Sequence, residues 1–208
     1  MFTERVPALQ VVIPILPEIG LLILLLLVLA VDLFSRRARR RAVGLLAGIG
    51  MLVILAANLA VGLWALNDPQ YAGPSLGGML HTDMLALIFR TMVLLAGALT
   101  CFISLDSPGV ARQGEYYAIV LVAVMGMTLM SAASDLIMVF LALETASISL
   151  YLLAGFLRDS PRSAEAGLKY YLFGAATSGL LLFGLSLLFG FAGTTNIYEM
   201  AGPLGRLL

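Results

Sequence analysis

The sequence predicts an all-α integral membrane protein, a bundle of six transmembrane helices, and three observations predict it. Hydrophobic residues fill 61% of the 208 positions and charged residues only 12%, about half the charged share of a soluble domain. Mean hydropathy is +1.03, so there is too little polar surface to face water along most of the chain. Six stretches carry about 20 mostly apolar residues each, enough to cross the hydrocarbon core as a helix. A helix also satisfies its backbone hydrogen bonds internally, as lipid requires.

The first span covers about 14–34. Pro14 and Pro17 suit a first helical turn, and Glu18 suits the positive end of the helix dipole. The basic cluster follows this apolar run and no A-x-A-like site precedes it, so it reads as a span rather than a signal peptide. Asp32 adjoins that cluster and reads as its counter-ion. The second span, 42–66, is uncharged; Asn58 within it reads as interhelical glue, and Gly44 and Gly48 permit close packing. The third, 84–105, contains Arg90, seven residues after Asp83 on one face and expected to snorkel outward to pair with it. The fourth, 116–134, has no charge. The fifth, 136–157, holds Glu144, with Ser134 or Asp135 as its cap. The sixth, 165–191, holds Lys169, with Gly174 and Ser178 as small residues four apart. The whole chain, 1–208, reads as one transmembrane domain. Residues 192–208 read as an external tail, and the run Ile197-Tyr198-Glu199-Met200 looks like the start of another element, so a truncated chain is expected.

Arginine placement orients the bundle. Arg36, Arg37, Arg39, Arg40, Arg41, Arg112, Arg158 and Arg162 fall in loops on one side, eight basic residues against Arg5 and Arg206 on the other. The positive-inside rule puts the eight in the cytoplasm and the N-terminus outside.

Other function classes lose support on composition. Twelve basic and twelve acidic residues cancel, giving no basic field for nucleic acid. One cysteine, Cys101, excludes a disulfide framework and a Cys-ligated iron–sulfur cluster within the chain. One histidine, His81, leaves no His-based metal site. No glycine-rich nucleotide cradle occurs.

Two charges inside the spans point to chemistry. Glu144 lies nine residues past Asp135, ~13 Å along a helix and near the bilayer centre, too deep to snorkel. Insertion of an acid there costs about 2.5–3.5 kcal/mol, and such a residue faces protein or water and marks an ion path by default. Ser147 and Tyr151, three and seven residues on, share its face. A protonated glutamate joining two helices is the structural alternative. Lys169 is the only lysine; unlike arginine it can hand on a proton. Its alternative is snorkelling to the headgroups. Direct contact between Glu144 and Lys169 is not expected from their depths, and a water bridge is the favoured link.

The run from Ser134 through Glu144, Ser147 and Tyr151, with its E-x-x-S-x-x-x-Y pattern, is followed by Glu165-Ala-Gly-Leu-Lys169-Tyr170 and by Gly174-Ala-Ala-Thr-Ser178-Gly. Together these resemble the antiporter-like membrane subunits of bacterial NADH-quinone oxidoreductase (complex I), subunit N rather than its sisters L and M. Pro17-Glu18 and the segment from Asp83 to Arg90 also fit. The resemblance implies the N-terminal portion of an antiporter-like fold in the bacterial inner membrane, with Glu144 as the intramembrane glutamate of the proton path and Lys169 as one of its lysines. It implies assembly with other complex I membrane subunits. NADH, FMN, iron–sulfur clusters and the quinone site would belong to partner subunits, with no cofactor and no redox chemistry in this chain. Two other readings remain: a cation/proton antiporter subunit sharing the same glutamate, and a membrane scaffold without transport of its own.

Overall fold

The computed structural model describes residues 15–34, 40–66, 73–107 and 114–200. Most of the arginine cluster, Arg112, and the ends holding Arg5 and Arg206 lie outside the described residues. In chain order the elements are α1 (Leu16–Phe34), α2 (Arg40–Leu66), β1 (Gly73–Ser75), a 3-10 turn (Leu76–Gly78), β2 (Leu80–Thr82), α3 (Met84–Ser104), α4 (Gly114–Ser131), α5 (Leu136–Ala154) and α6 (Pro161–Ala192). All six α-helices are long and apolar enough to cross a membrane. Successive helices alternate in direction, giving the bundle an end with the β-hairpin and an opposite end with the arginines.

The core belongs to the first four helices. Leu21, Leu24 and Val28 of α1 meet Val43, Ala47 and Met51 of α2, Leu94, Ala98 and Cys101 of α3, and Tyr117, Val120, Leu121 and Val124 of α4. Spacings of three, four and seven residues put each set on one helical face. Adjacent packing runs α1–α2–α3–α4 and back to α1, so α1 and α3 face each other across a diagonal. α5 packs on α4 and α6 chiefly on α5. No residue of α6 is buried, so all four core faces come from α1–α4.

Helix ends differ from the sequence expectation where caps intervene. α6 starts at Pro161, four residues early, because Ser160 caps it: Ser160 Oγ accepts from Ser163 N at 3.3 Å, and proline fits the first helical position. α5 stops at Ala154, three residues early. There Ser163 Oγ donates to Ala154 O at 2.9 Å and accepts from Leu157 N at 3.2 Å, closing the turn between the two helices. Arg41 to Asp106, 2.9 Å, and Arg158 to Glu115, 3.0 Å, are exposed ion pairs at the same end.

The hairpin end is a hydrogen-bonded lid. β1 and β2 pair antiparallel, Gly73 opposite Thr82 and Ser75 opposite Leu80. Leu76, Gly77 and Gly78 all have positive φ (49°, 66° and 88°), and two of the three are glycine because only glycine takes that region without strain. Residues 132–135, expected at the end of the fourth span and its turn, leave the helix to join this lid. His81 N donates to Ala132 O, Ser134 N to Met79 O, and Ser134 Oγ to Gly78 O. Residues 193–200 fold back onto the same place: Leu136 N donates to Thr195 O and Ile197 N to Ser134 O. Asp135 caps α5, accepting from Ile137 N at 2.8 Å, and also accepts from Thr195 Oγ1.

Candidate functional site

Glu144 is carried by α5, and its direction follows from the helix packing. Ala142 and Ala146 press on α4 at Gly126: a Cβ on that glycine would lie 2.7 Å from Ala146 N and 2.9 Å from Ala142 O. Glu144 is two residues from each alanine, about 160–200° round the helix, so it points away from α4 and toward the α6 side. It is half-buried, and its Oε1 is enclosed with no hydrogen-bond partner among the described residues. Its hydroxyl neighbours are committed to their own helix, Thr145 Oγ1 to Leu141 O and Ser149 Oγ to Thr145 O, each 2.8 Å.

The interface between α5 and α6 differs on either side of Glu144. Toward the hairpin end lies an apolar groove of about 310 Å³, lined by Leu136, Phe140, Leu182, Leu185 and Phe189 among others. Toward the arginine end come Ser147 and then Tyr151, which is buried and lies against Gly174, in the space a side chain there would fill. The rings of Tyr170 and Tyr171 meet Tyr151 edge-on, with centroids 4.8 and 6.1 Å away. One turn farther, Gly155 and Gly167 bring the two backbones together.

These contacts fix the register and thus the position of Lys169. Gly167 is level with Gly155, where backbone meets backbone, so Lys169, two residues on, is level with Leu153, nine residues from Glu144. Lys169 and Glu144 are therefore separated by ~13 Å along the bundle. Lys169 pairs with Glu165, one turn earlier, and both are largely exposed, at 66% and 62%. With 32 residues, α6 is ~48 Å long, some 18 Å more than the hydrocarbon needs. Lys169 lies ~12 Å from its start. The structure thus keeps Lys169 and Glu144 out of contact, with Ser147 and Tyr151 between them.

A second charged pair is fully enclosed. Arg90 Nη2 of α3 lies 2.9 Å from Glu18 Oε1 of α1, with side chains 4% and 5% exposed. This corrects the expectation that Arg90 reaches Asp83. Asp83 instead caps α3, accepting from Ala86 N at 2.7 Å, and its other oxygen is 3.9 Å from His81 Nδ1. Glu18 does more than face the helix dipole, since it neutralises a buried guanidinium. Both residues were visible in the sequence as charges near one end of their spans. Their pairing was not, because nothing in the sequence says which helices face across the bundle. Asn58 does join two helices, donating to Thr91 Oγ1 at 3.2 Å. The Asp32 carboxylate lies against Gly114 at the start of α4.

Known proteins supply the context. Residues 133–204 match the family described as NADH:quinone oxidoreductase/Mrp antiporter, TM. NADH-quinone oxidoreductase subunit N of Rhodospirillum rubrum is 42% identical over 191 residues, 90% of this chain and 38% of the relative. The subunit N of Anaeromyxobacter sp. (strain Fw109-5) is 39% identical over 194 residues, 92% of this chain and 36% of the relative. The chain is homologous to NADH-quinone oxidoreductase subunit N. It spans well under half the length of these subunit N relatives. Among solved structures, a chain of respiratory complex I from Thermus thermophilus superposes with a TM-score of 0.69 over 90% of this chain and 42% of that one, at 23% identity. A chain of an archaeal membrane-bound sulfane sulfur reductase superposes with a TM-score of 0.63 over 93% and 39%, at 22% identity. At those identities the two structures establish a shared fold.

Proposed function

We propose that this chain is part of a proton-translocating membrane subunit of NADH-quinone oxidoreductase, with Glu144 as the carboxylate that takes and releases the proton. The observation that carries the reading is a glutamate eight residues inside an apolar helix, its Oε1 enclosed without a partner. Subunit N homology over most of the chain gives that carboxylate its setting. A carboxyl so placed costs several kcal/mol while charged, and the cost falls when a proton or a positive charge arrives.

The proton exchanges toward the arginine end. On that side the α5–α6 interface offers the hydroxyls of Ser147 and Tyr151, while the hydroxyls lining the groove on the other side, Ser186 and Thr195, are taken up by Leu182 O and Asp135. Lys169, held at the arginine end beside Glu165, is the cation that passes protons to this path or draws them into it. At ~13 Å it acts on Glu144 through intervening hydroxyls and water, not by contact. In this reading the electron carriers sit in partner subunits. Quinone reduction in those partners reaches this chain as a change in charge or hydration around Glu144. The arginine end faces the cytoplasm of a bacterial inner membrane and the N-terminus lies outside, following the positive-inside rule.

The test is Glu144→Gln in the assembled complex. Inverted membrane vesicles given NADH should acidify their lumen far less than wild type, while NADH-dependent quinone reduction falls only in part. Unchanged acidification removes Glu144 from the path. A cation/proton antiporter subunit is the second reading, favoured by the family description, which covers Mrp antiporters too. It requires sodium- or potassium-dependent proton exchange without NADH oxidation, in membranes that lack the redox partner subunits.

A further inference from the structure

Near the hairpin end each of the first four helices turns one polar side chain inward. These are Glu18 of α1, Asn58 of α2, Arg90 of α3 and Thr128 of α4, exposed by 5%, 4%, 3% and 0%. They lie within ~12 Å of their helix ends at that side, at comparable depths. Arg90 reaches Glu18, Asn58 reaches Thr91 beside Arg90, and Thr128, near the Glu18 carboxyl, donates its own hydroxyl to Met125 O at 2.9 Å. α1 and α3 sit diagonally, without the extended packing they share with α2 and α4. The ion pair therefore bridges the one diagonal that helix packing leaves open, within a polar layer of an otherwise apolar core.

We infer that Glu18 and Arg90 are positioning residues, a charge lock that fixes α1–α4 in register and so holds the surface on which the Glu144 helix rests. The link runs through α4. Thr128 and Gly126 are two residues apart and so on opposite faces: Thr128 meets the lock, and Gly126 receives Ala142 and Ala146 of α5. Arginine suits a lock better than a carrier, because it keeps its proton under all relevant conditions. Removing one partner leaves a charge buried and unpaired, which is strongly destabilising, whereas replacing both by apolar groups of similar volume is close to neutral. That asymmetry separates a lock from a proton site.

The experiment uses the whole complex in native membranes, with subunit content read by immunoblot and protons counted per NADH oxidised. Glu18→Gln and Arg90→Gln should each lower incorporated subunit several-fold, and the complexes that do assemble should pump fewer protons per NADH. Arg90→Lys, which keeps the charge at a single-point contact, should stay near wild type. The double variant E18L/R90L should restore both content and proton ratio. Normal content and ratio in both single Gln variants would overturn the lock, and so would a double variant that assembles fully yet pumps nothing, since the pair would then itself be carrying protons. Only the proton-ratio arm rests on the Glu144 reading. If Glu144→Gln in the same membranes pumps normally, that reading fails, while subunit content in the Glu18 and Arg90 variants still decides the lock.

Discussion

At the residue scale, burial gives similar charges different work. Glu18 is closed in with a cation at 2.9 Å, which balances its charge. Glu144 has no such partner among the described residues, and an unpaired carboxyl in lipid is useful only if its charge changes. Asp83 and Asp135, just outside their helices, are caps. Asp135→Ala should lower stability by about 1 kcal/mol, as loss of an N-cap does, and somewhat more because Thr195 loses its acceptor too; thermal unfolding of the detergent-solubilised subunit measures it. Glu144 was legible in the sequence because depth along one helix can be counted from its cap. The Glu18–Arg90 pair was not, since each charge could be placed along its own helix but not across the bundle. Sequence proximity alone points Arg90 to Asp83, the nearest acid along the chain.

At the element scale, the decisive contact is the seat of α5 on α4. Gly126 lies where any side chain would strike the backbone of Ala142 and Ala146, and backbone cannot move aside as a flexible side chain can. Gly126→Val should cost about 1–3 kcal/mol, the range for overpacking a close interface. Because it pushes the Glu144 helix outward, it should also lower the proton ratio more than it lowers quinone reduction; unfolding and vesicle assays on one preparation check both. The six spans were legible from apolar length alone, which is a strong signal in lipid. Their ends were shifted by capping. Ser160 and Pro161 lengthen α6 by a turn, and the hydrogen bonds of the hairpin lid take residues 132–135 out of α4. Such tertiary bonds do not register in hydropathy.

At the scale of the whole molecule, the bundle divides into a four-helix block with its own core and a pair of helices laid against one side of it. α5 carries the candidate carboxylate between the two, and α6 carries the lysine outside it. Orientation belongs to this scale. In a Cys101→Ala background, a cysteine at Ser160 should react with an impermeant thiol reagent only from the cytoplasmic side, and one at Leu76 only from outside; the reverse pattern would invert the proton path. The central claim, that Glu144 itself exchanges the proton, is tested most directly by the number of protons moved per NADH in vesicles carrying Glu144→Gln beside vesicles carrying Glu144→Asp. Glutamine, which cannot titrate, should cut that ratio sharply, while aspartate, which can, should keep much of it. Equal ratios in glutamine and wild-type vesicles would contradict the claim.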